Sequence, residues 1–183
     1  MVVVPAGESH STFAIGKYEV SVGDYSKYCA LTGNCKPEMN QAKHNNPMTG
    51  ISLEDAEKYG EWLSERTGKT YRIPSKAEWE YAANAAGDQP VKNVNCRTEL
   101  NGQVIKGTGV TSVRDGPSNG WGLLNYVGNV QEIVKDESGG TLAIGGAYSD
   151  PRSKCDISLQ RPYTGTGDDV TGFRILLEES GAG

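Results

Sequence analysis

Arg72-Ile73-Pro74-Ser75-Lys76-Ala77-Glu78-Trp79-Glu80-Tyr81-Ala82-Ala83 joins a strand, a stop and a helix start without a spacer. Thr70 to Ile73 reads as a short strand, and Pro74, which has no amide hydrogen for a ladder, ends it. Ser75-Lys76-Ala77-Glu78 is a capping box: the serine hydroxyl accepts from the glutamate amide while the carboxylate reaches back to the serine amide. Trp79, Ala82, Ala83 and Ala86 then share one helical face, and Gly87 is the expected stop. A strand this short passing directly into a helix this short predicts an α+β chain of brief elements.

The flanking sequence extends the pattern. On the N-terminal side, Ser52-Leu53-Glu54-Asp55 opens a helix on which Ala56, Tyr59, Gly60 and Leu63 recur at helical spacing as far as Gly68. Ser21 caps a second helix over Val22 to Leu31, with Tyr25 and Tyr28 on one face and Gly33 closing it. Phe13 to Val20 alternates across Gly16, the pattern of a strand with a bulge or bend. On the C-terminal side, Asp88 to Gly120 is polar and reads as irregular structure holding one hairpin. Trp121 to Glu132 is glycine-punctuated, Leu142-Ala143-Ile144 is a short buried strand, and Phe173 to Leu177 is the final strand. About three helices and much loop are therefore expected in a single domain over 1–179, with 180–183 as a tail or linker.

Composition fits this description. The 183 residues include 24 Gly, nine Tyr and three Trp but only two Phe, which describes a loop-rich globule with aromatics in its core. A net charge of -5 with no cluster of Lys and Arg argues against a nucleic-acid partner, whose phosphates need concentrated positive charge. The longest apolar run, Val2 to Ala6, is too short for a transmembrane segment and resembles no signal peptide, so Met1 is expected to open an excised piece of a longer protein.

The four cysteines, Cys29, Cys35, Cys96 and Cys155, lack the paired spacing of a zinc site. Cys29 and Cys35 flank a turn at Gly33 and suit a local disulfide, which leaves Cys96 to pair with Cys155; the alternative is four free thiols. Disulfides would mean an oxidising, extracytoplasmic location, periplasmic or at the cell surface.

Seven ordered pieces resemble the formylglycine-generating enzyme, or sulfatase-modifying factor, family. They are Lys17-Tyr18-Glu19-Val20-Ser21, Asn46-Pro47-Met48, the Arg72 to Ala83 run, Asn119-Gly120-Trp121-Gly122-Leu123, Gly128-Asn129-Val130-Gln131-Glu132, Gly145-Gly146-Ala147-Tyr148 and Gly172-Phe173-Arg174. The resemblance implies a C-type-lectin-like, formylglycine-generating-enzyme-type fold. Within it, Arg174 reads as a core residue pairing an acid such as Glu19 or Glu80.

The same resemblance bears on catalysis. The family's oxidases hold copper(I) between two soft thiolates placed where this chain has Asp150 and Cys155. A carboxylate is too hard to replace a thiolate, so both positions read as degenerate and no catalytic residue is assigned. Iron-dependent relatives need a histidine-rich site, and the chain has only His10 and His44. Neither copper nor iron is expected. A nucleophile elbow and a phosphate-cradling loop are also missing from the sequence.

Calcium is the cofactor that the resemblance does imply. Asn125 and Glu132 would supply side chains and Gly128 and Val130 carbonyls, while a second site would use Asn95, the Cys96 carbonyl and an acid such as Asp115. The other reading of the first loop is side-chain-to-backbone hydrogen bonding. For a ligand-binding surface the stretch after Gly146 offers Tyr148, Asp150, Arg152, Lys154, Asp156, Gln160, Arg161 and Tyr163, a Tyr, Arg and Asp mixture that suits recognition better than a core.

The expectation from all this is a non-catalytic binding or sensor module for an unknown protein or small-molecule ligand, fused to a membrane-anchored serine/threonine kinase. Two alternatives stand beside it. One is a hypervariable ligand-display protein of a diversity-generating retroelement, against which the sequence has no Asn after Asn129. The other is a metal-dependent oxidase with an atypical site.

Overall fold

The computed structural model describes residues 1–8, 10–40, 42–85, 87, 91 and 93–179. In chain order the elements are β1 (Val2–Val4), β2 (Phe13–Ile15), α1 (Val22–Thr32), a 3-10 turn (Pro37–Asn40), α2 (Leu53–Thr67), β3 (Tyr71–Arg72), α3 (Lys76–Asn84), β4 (Thr98–Leu100), β5 (Gln103–Lys106), β6 (Gln131–Lys135), β7 (Thr141–Ile144), β8 (Gln160–Pro162), β9 (Thr171–Gly172) and β10 (Leu176–Glu178). The three helices start where their caps dictate. Ser21, Ser52 and Ser75 each accept from the amide three residues on, and Ser52 and Ser75 complete reciprocal boxes with Asp55 and Glu78.

Two small sheets carry the fold. One has the order β1-β2-β10-β3 with every pairing antiparallel; the other has the order β8-β7-β6-β9, in which only β6 and β9 run parallel. A separate hairpin, β4-β5, is the one expected within Asp88 to Gly120. Strand β6 stands between two cores, and its pleat sends neighbouring residues to opposite sides. Val134 joins Phe13, Ile15, Trp79, Leu123 and Ile144, while Ile133 joins Tyr25, Tyr28, Met48, Tyr59 and Phe173. In the second core the Tyr25 and Tyr59 rings stack at 5.8 Å and Tyr28 meets Tyr25 edge-on at 5.1 Å.

Several element boundaries differ from the expectation, by one residue at α1 and β7 and at each end of β3, and by more at β2, β10 and α3. Strand β2 stops at Ile15, and the last strand begins at Leu176 rather than at Phe173. The cause is shared: the Gly16 amide bonds the Ile175 carbonyl and the Val20 amide bonds the Phe173 carbonyl, but the intervening residues do not pair, so no regular ladder forms. Helix α3 ends at Asn84, ahead of Gly87, because the Asn119 side chain donates to the Ala82 and Ala83 carbonyls at 2.8 and 3.1 Å and satisfies its last turn. Ala86 and the 180–183 tail lie outside the described residues.

Candidate functional site

Both expected disulfides are formed, Cys29–Cys35 and Cys96–Cys155, with Cα atoms 4.8 and 6.4 Å apart. The second ties the hairpin segment to the loop that follows β7. In that loop the Asp150 carboxylate accepts from the Ala147 amide at 2.8 Å and meets Arg161 through two bonds of 2.5 and 3.1 Å. Arg161 also donates to Gln131 Oε1 at 2.8 Å, Gln131 Nε2 donates to Thr171 Oγ1 at 2.8 Å, and that hydroxyl donates to Asp168 at 2.9 Å. The hydrogen-bonded chain from Asp150 to Asp168 fills the floor of the loop. Two thiolates facing one metal are therefore absent from this place: one position is an ion-paired carboxylate and the sulfur of the other is bonded to Cys96.

Of the eight residues expected on a binding face, Arg152, Lys154, Asp156 and Gln160 are exposed and Tyr148, Asp150, Arg161 and Tyr163 are half-buried. Tyr163 is a strut, its hydroxyl donating to the Ile51 carbonyl and accepting from the Gly167 amide at 3.0 Å. Asp150 and Arg161 likewise spend their polar atoms on each other and on the fold. The exposed four are open to solvent, and Asp156 also holds the turn at Ser158. Arg152 alone of the four lines a cleft of about 370 Å³ bounded by Arg97 to Glu99 and Pro151 to Ser153.

Beneath this loop is a buried charge cluster. Arg174, expected to pair Glu19 or Glu80, instead meets Glu132 through bonds of 2.6 and 2.8 Å and donates to the Gly16 and Leu124 carbonyls at 2.7 and 2.8 Å. The Trp79 indole donates to the same Glu132 at 2.6 Å. Glu80 is far more exposed and sits 3.8 Å from Lys76. Glu19 is a member of the cluster in another way: it accepts from Asn129 at 2.7 Å and from Asn125 at 3.2 Å. Burial pushes the Glu19 carboxyl up; Arg174 pulls it back and Glu132 pushes it further, with the result raised to about 8. One guanidinium thus acts on two interior carboxyls, bonding Glu132 directly and Glu19 through charge alone. Burial works against the Arg174 charge, but Glu132 and then Glu19 outweigh it and its pKa is raised.

In the calcium set that the resemblance implies, the charged ligand is already engaged. Glu132, its source of charge, is 1% exposed and occupied by Arg174 and Trp79, and a dication beside the same oxygens would face a buried guanidinium. The Asn125 amide donates to Glu19 and to the Val113 carbonyl. Gly128 packs so closely that a Cβ there would lie 2.5 Å from the Asn95 carbonyl oxygen. At the second site the Asn95 amide donates to the Gly109 carbonyl and to Asn129 Oδ1, both at 3.0 Å, the Cys96 carbonyl accepts from Thr98 at 3.2 Å, and Asp115 is exposed in a turn. Among the described residues no group of three His, Cys, Asp or Glu converges as metal ligands, and no helix is long and apolar enough to cross a membrane.

Only a weak signal of this cluster exists at the level of residues. Glu19 and Glu132 each lie inside a family-like motif, and Arg174 in the last strand calls for a buried acid, but no residue pattern separates Glu132 from Glu19 or Glu80 as its partner.

Comparison with known proteins gives three findings. The chain matches a family model described as sulfatase-modifying factor enzyme 1-like domain over residues 4–179. It is 31% identical over 147 residues to serine/threonine-protein kinase pkn1 of Chlamydia pneumoniae, covering 79% of this chain and 20% of the kinase. With the formylglycine-generating enzyme of Thermomonospora curvata the identity is 30% over 152 residues, 74% of this chain and 46% of that enzyme. The chain therefore spans less than half the length of these curated relatives. Among solved structures, PvdO from Pseudomonas aeruginosa superposes with a TM-score of 0.75 at 23% identity, covering 92% of this chain and 81% of that one, which is a likeness of fold.

Proposed function

The chain belongs to the sulfatase-modifying factor family, that of the formylglycine-generating enzymes, and from this premise we propose that it is a non-catalytic member: an extracytoplasmic ligand- or protein-binding sensor module carried by a membrane-anchored serine/threonine kinase. The observation that carries the reading is the fate of the two positions aligned with the family's copper cysteines. Asp150 is ion-paired with Arg161, and Cys155 is bonded to Cys96. Copper(I) requires two free thiolates, and neither position offers one. The two disulfides support an oxidising compartment, and the likeness to a kinase supports the fusion.

The test is a turnover assay. Purified, unreduced protein is supplied with copper(I), dissolved oxygen as oxidant and an excess of a cysteine-containing peptide, whose thiol also supplies reducing equivalents, and the peptide mass is followed for conversion of cysteine to formylglycine. No conversion is expected, with a non-reducing peptide map recovering the Cys96–Cys155 linkage. Copper-dependent conversion would overturn the reading.

A further inference from the structure

The cleft beside the Cys96–Cys155 disulfide has a definite construction. The Arg97 amide donates to the Asp150 carbonyl at 2.9 Å and the Arg152 amide donates to the Arg97 carbonyl at 2.8 Å, so the two arginines sit on adjoining, hydrogen-bonded backbones. Both line the same cleft, with Thr98, Glu99, Pro151 and Ser153. Like charges on neighbouring segments repel, and two guanidiniums face a single carboxylate here: Glu99 pairs Arg97 at 2.9 Å. Arg152 donates only to the Cys155 carbonyl at 3.3 Å and has no acid partner among the described residues; nor has the exposed Lys154 next to it. In a chain whose net charge is -5, this is a local excess of positive charge with backbone holding it in place.

One wall of the cleft is an open edge. The hairpin has two strands, and apart from the Arg97–Pro151 bridge no strand covers the outer side of β4 among the described residues. Leu100 on β4 and Ile105, at the register shift of β5, are each 59% exposed and give the hairpin two solvent-facing apolar side chains. An uncovered edge, an exposed apolar pair and unpaired arginine together match one kind of occupant: an extended segment that alternates acidic and apolar side chains.

We propose that the cleft between β4 and the turn at Pro151 to Ser153 docks an extended acidic segment of a protein partner, its carboxylate on Arg152, its apolar side chains over Leu100 and Ile105 and its backbone along β4. The inference rests on the binding-module reading and names the partner chemistry for it. Charge supplies the selection, because a lysine-bearing segment would meet the same arginines with repulsion.

The experiment is a fluorescence-anisotropy titration of the whole chain with a short peptide alternating valine and glutamate, carrying an uncharged dye, beside its valine-lysine counterpart. Saturable binding of the glutamate peptide alone is expected. Arg152→Glu is expected to weaken it at least about tenfold and Arg152→Lys much less, with thermal melts unchanged because the side chain is exposed. Equal binding of both peptides, no binding, or affinity indifferent to Arg152→Glu would overturn the proposal. Competition by inorganic phosphate at the same concentration would replace it with a simple anion site, and a dimer in sedimentation that Arg152→Glu dissolves would replace it with a second copy of the chain. Failure here is distinct from failure of the functional reading: copper-dependent turnover with intact peptide binding removes only the latter, and neither turnover nor binding removes only this inference.

Discussion

Two arginine–carboxylate pairs, built alike, do different work in this molecule. Arg174 and Glu132 are 0% and 1% exposed; Arg161 and Asp150 are 42% and 14% exposed. Each pair is bidentate. The interior pair joins segments far apart in sequence, since Arg174 also holds the Gly16 and Leu124 carbonyls and Glu132 holds Trp79. The outer pair joins a loop to the strand that follows it and stays within reach of water. Desolvation separates them: an interior charge that loses its partner has nothing to replace it, whereas a half-exposed one is rehydrated.

The largest expected effect follows. Arg174→Met would leave Glu132 and Glu19 buried together without a cation, and should cost about 3–5 kcal/mol in urea unfolding, the range for breaking a buried pair from one side. Pairing it with Glu132→Leu removes the stranded charge and should recover part of the loss, since a buried ion pair and an apolar replacement are often close in free energy. If Arg174→Met alone costs no more than a surface change, the interior pair does not fasten the fold.

Glu19 sharpens the comparison through pH. In the folded protein its pKa is raised to about 8, against the usual 4.5. Between those values the native state holds a proton that the unfolded chain releases, so Glu19's contribution is fully present below the unfolded pKa and is lost as pH rises through about 8. Glu19→Gln mimics the protonated form and does not titrate. The stability difference between this variant and the parent should therefore shift in the variant's favour by roughly 3 kcal/mol between pH 5 and pH 8 in urea unfolding. The acids Asp24, Asp55 and Glu78, whose pKa values are lowered, act in the opposite sense at acidic pH and cancel in that difference. A flat difference would place the proton elsewhere in the cluster.

The contrast between the pairs also explains what is legible in the sequence. Helices α1, α2 and α3 follow from serine caps and local spacing, and all three are readable from the chain. The disulfide pairs follow from spacing and elimination. The partner of Arg174 does not, because Glu19, Glu80 and Glu132 are equally acidic and only the three-dimensional path of β6 chooses Glu132. Asp150 and Arg161 read as ligand contacts because loops rich in Arg, Asp and Tyr suit recognition, and in the folded chain each satisfies the other. A composition argument sees residue types; which carboxylate a guanidinium reaches is set by packing between segments distant in the chain.

The smallest effect is expected at the outer pair. Asp150→Asn keeps an oxygen able to accept from the Ala147 amide but removes the charge facing Arg161, so it should cost about 1 kcal/mol or less. The loss should shrink further at high salt, which screens a half-exposed pair and leaves an interior one nearly untouched. Thermal melts of parent and variant at low and high salt measure both quantities. A loss that is large and indifferent to salt would mean that Asp150, Arg161 and Gln131 form a second keystone beneath the loop, and the exposed face beside them would then owe its shape to charge as much as the core does.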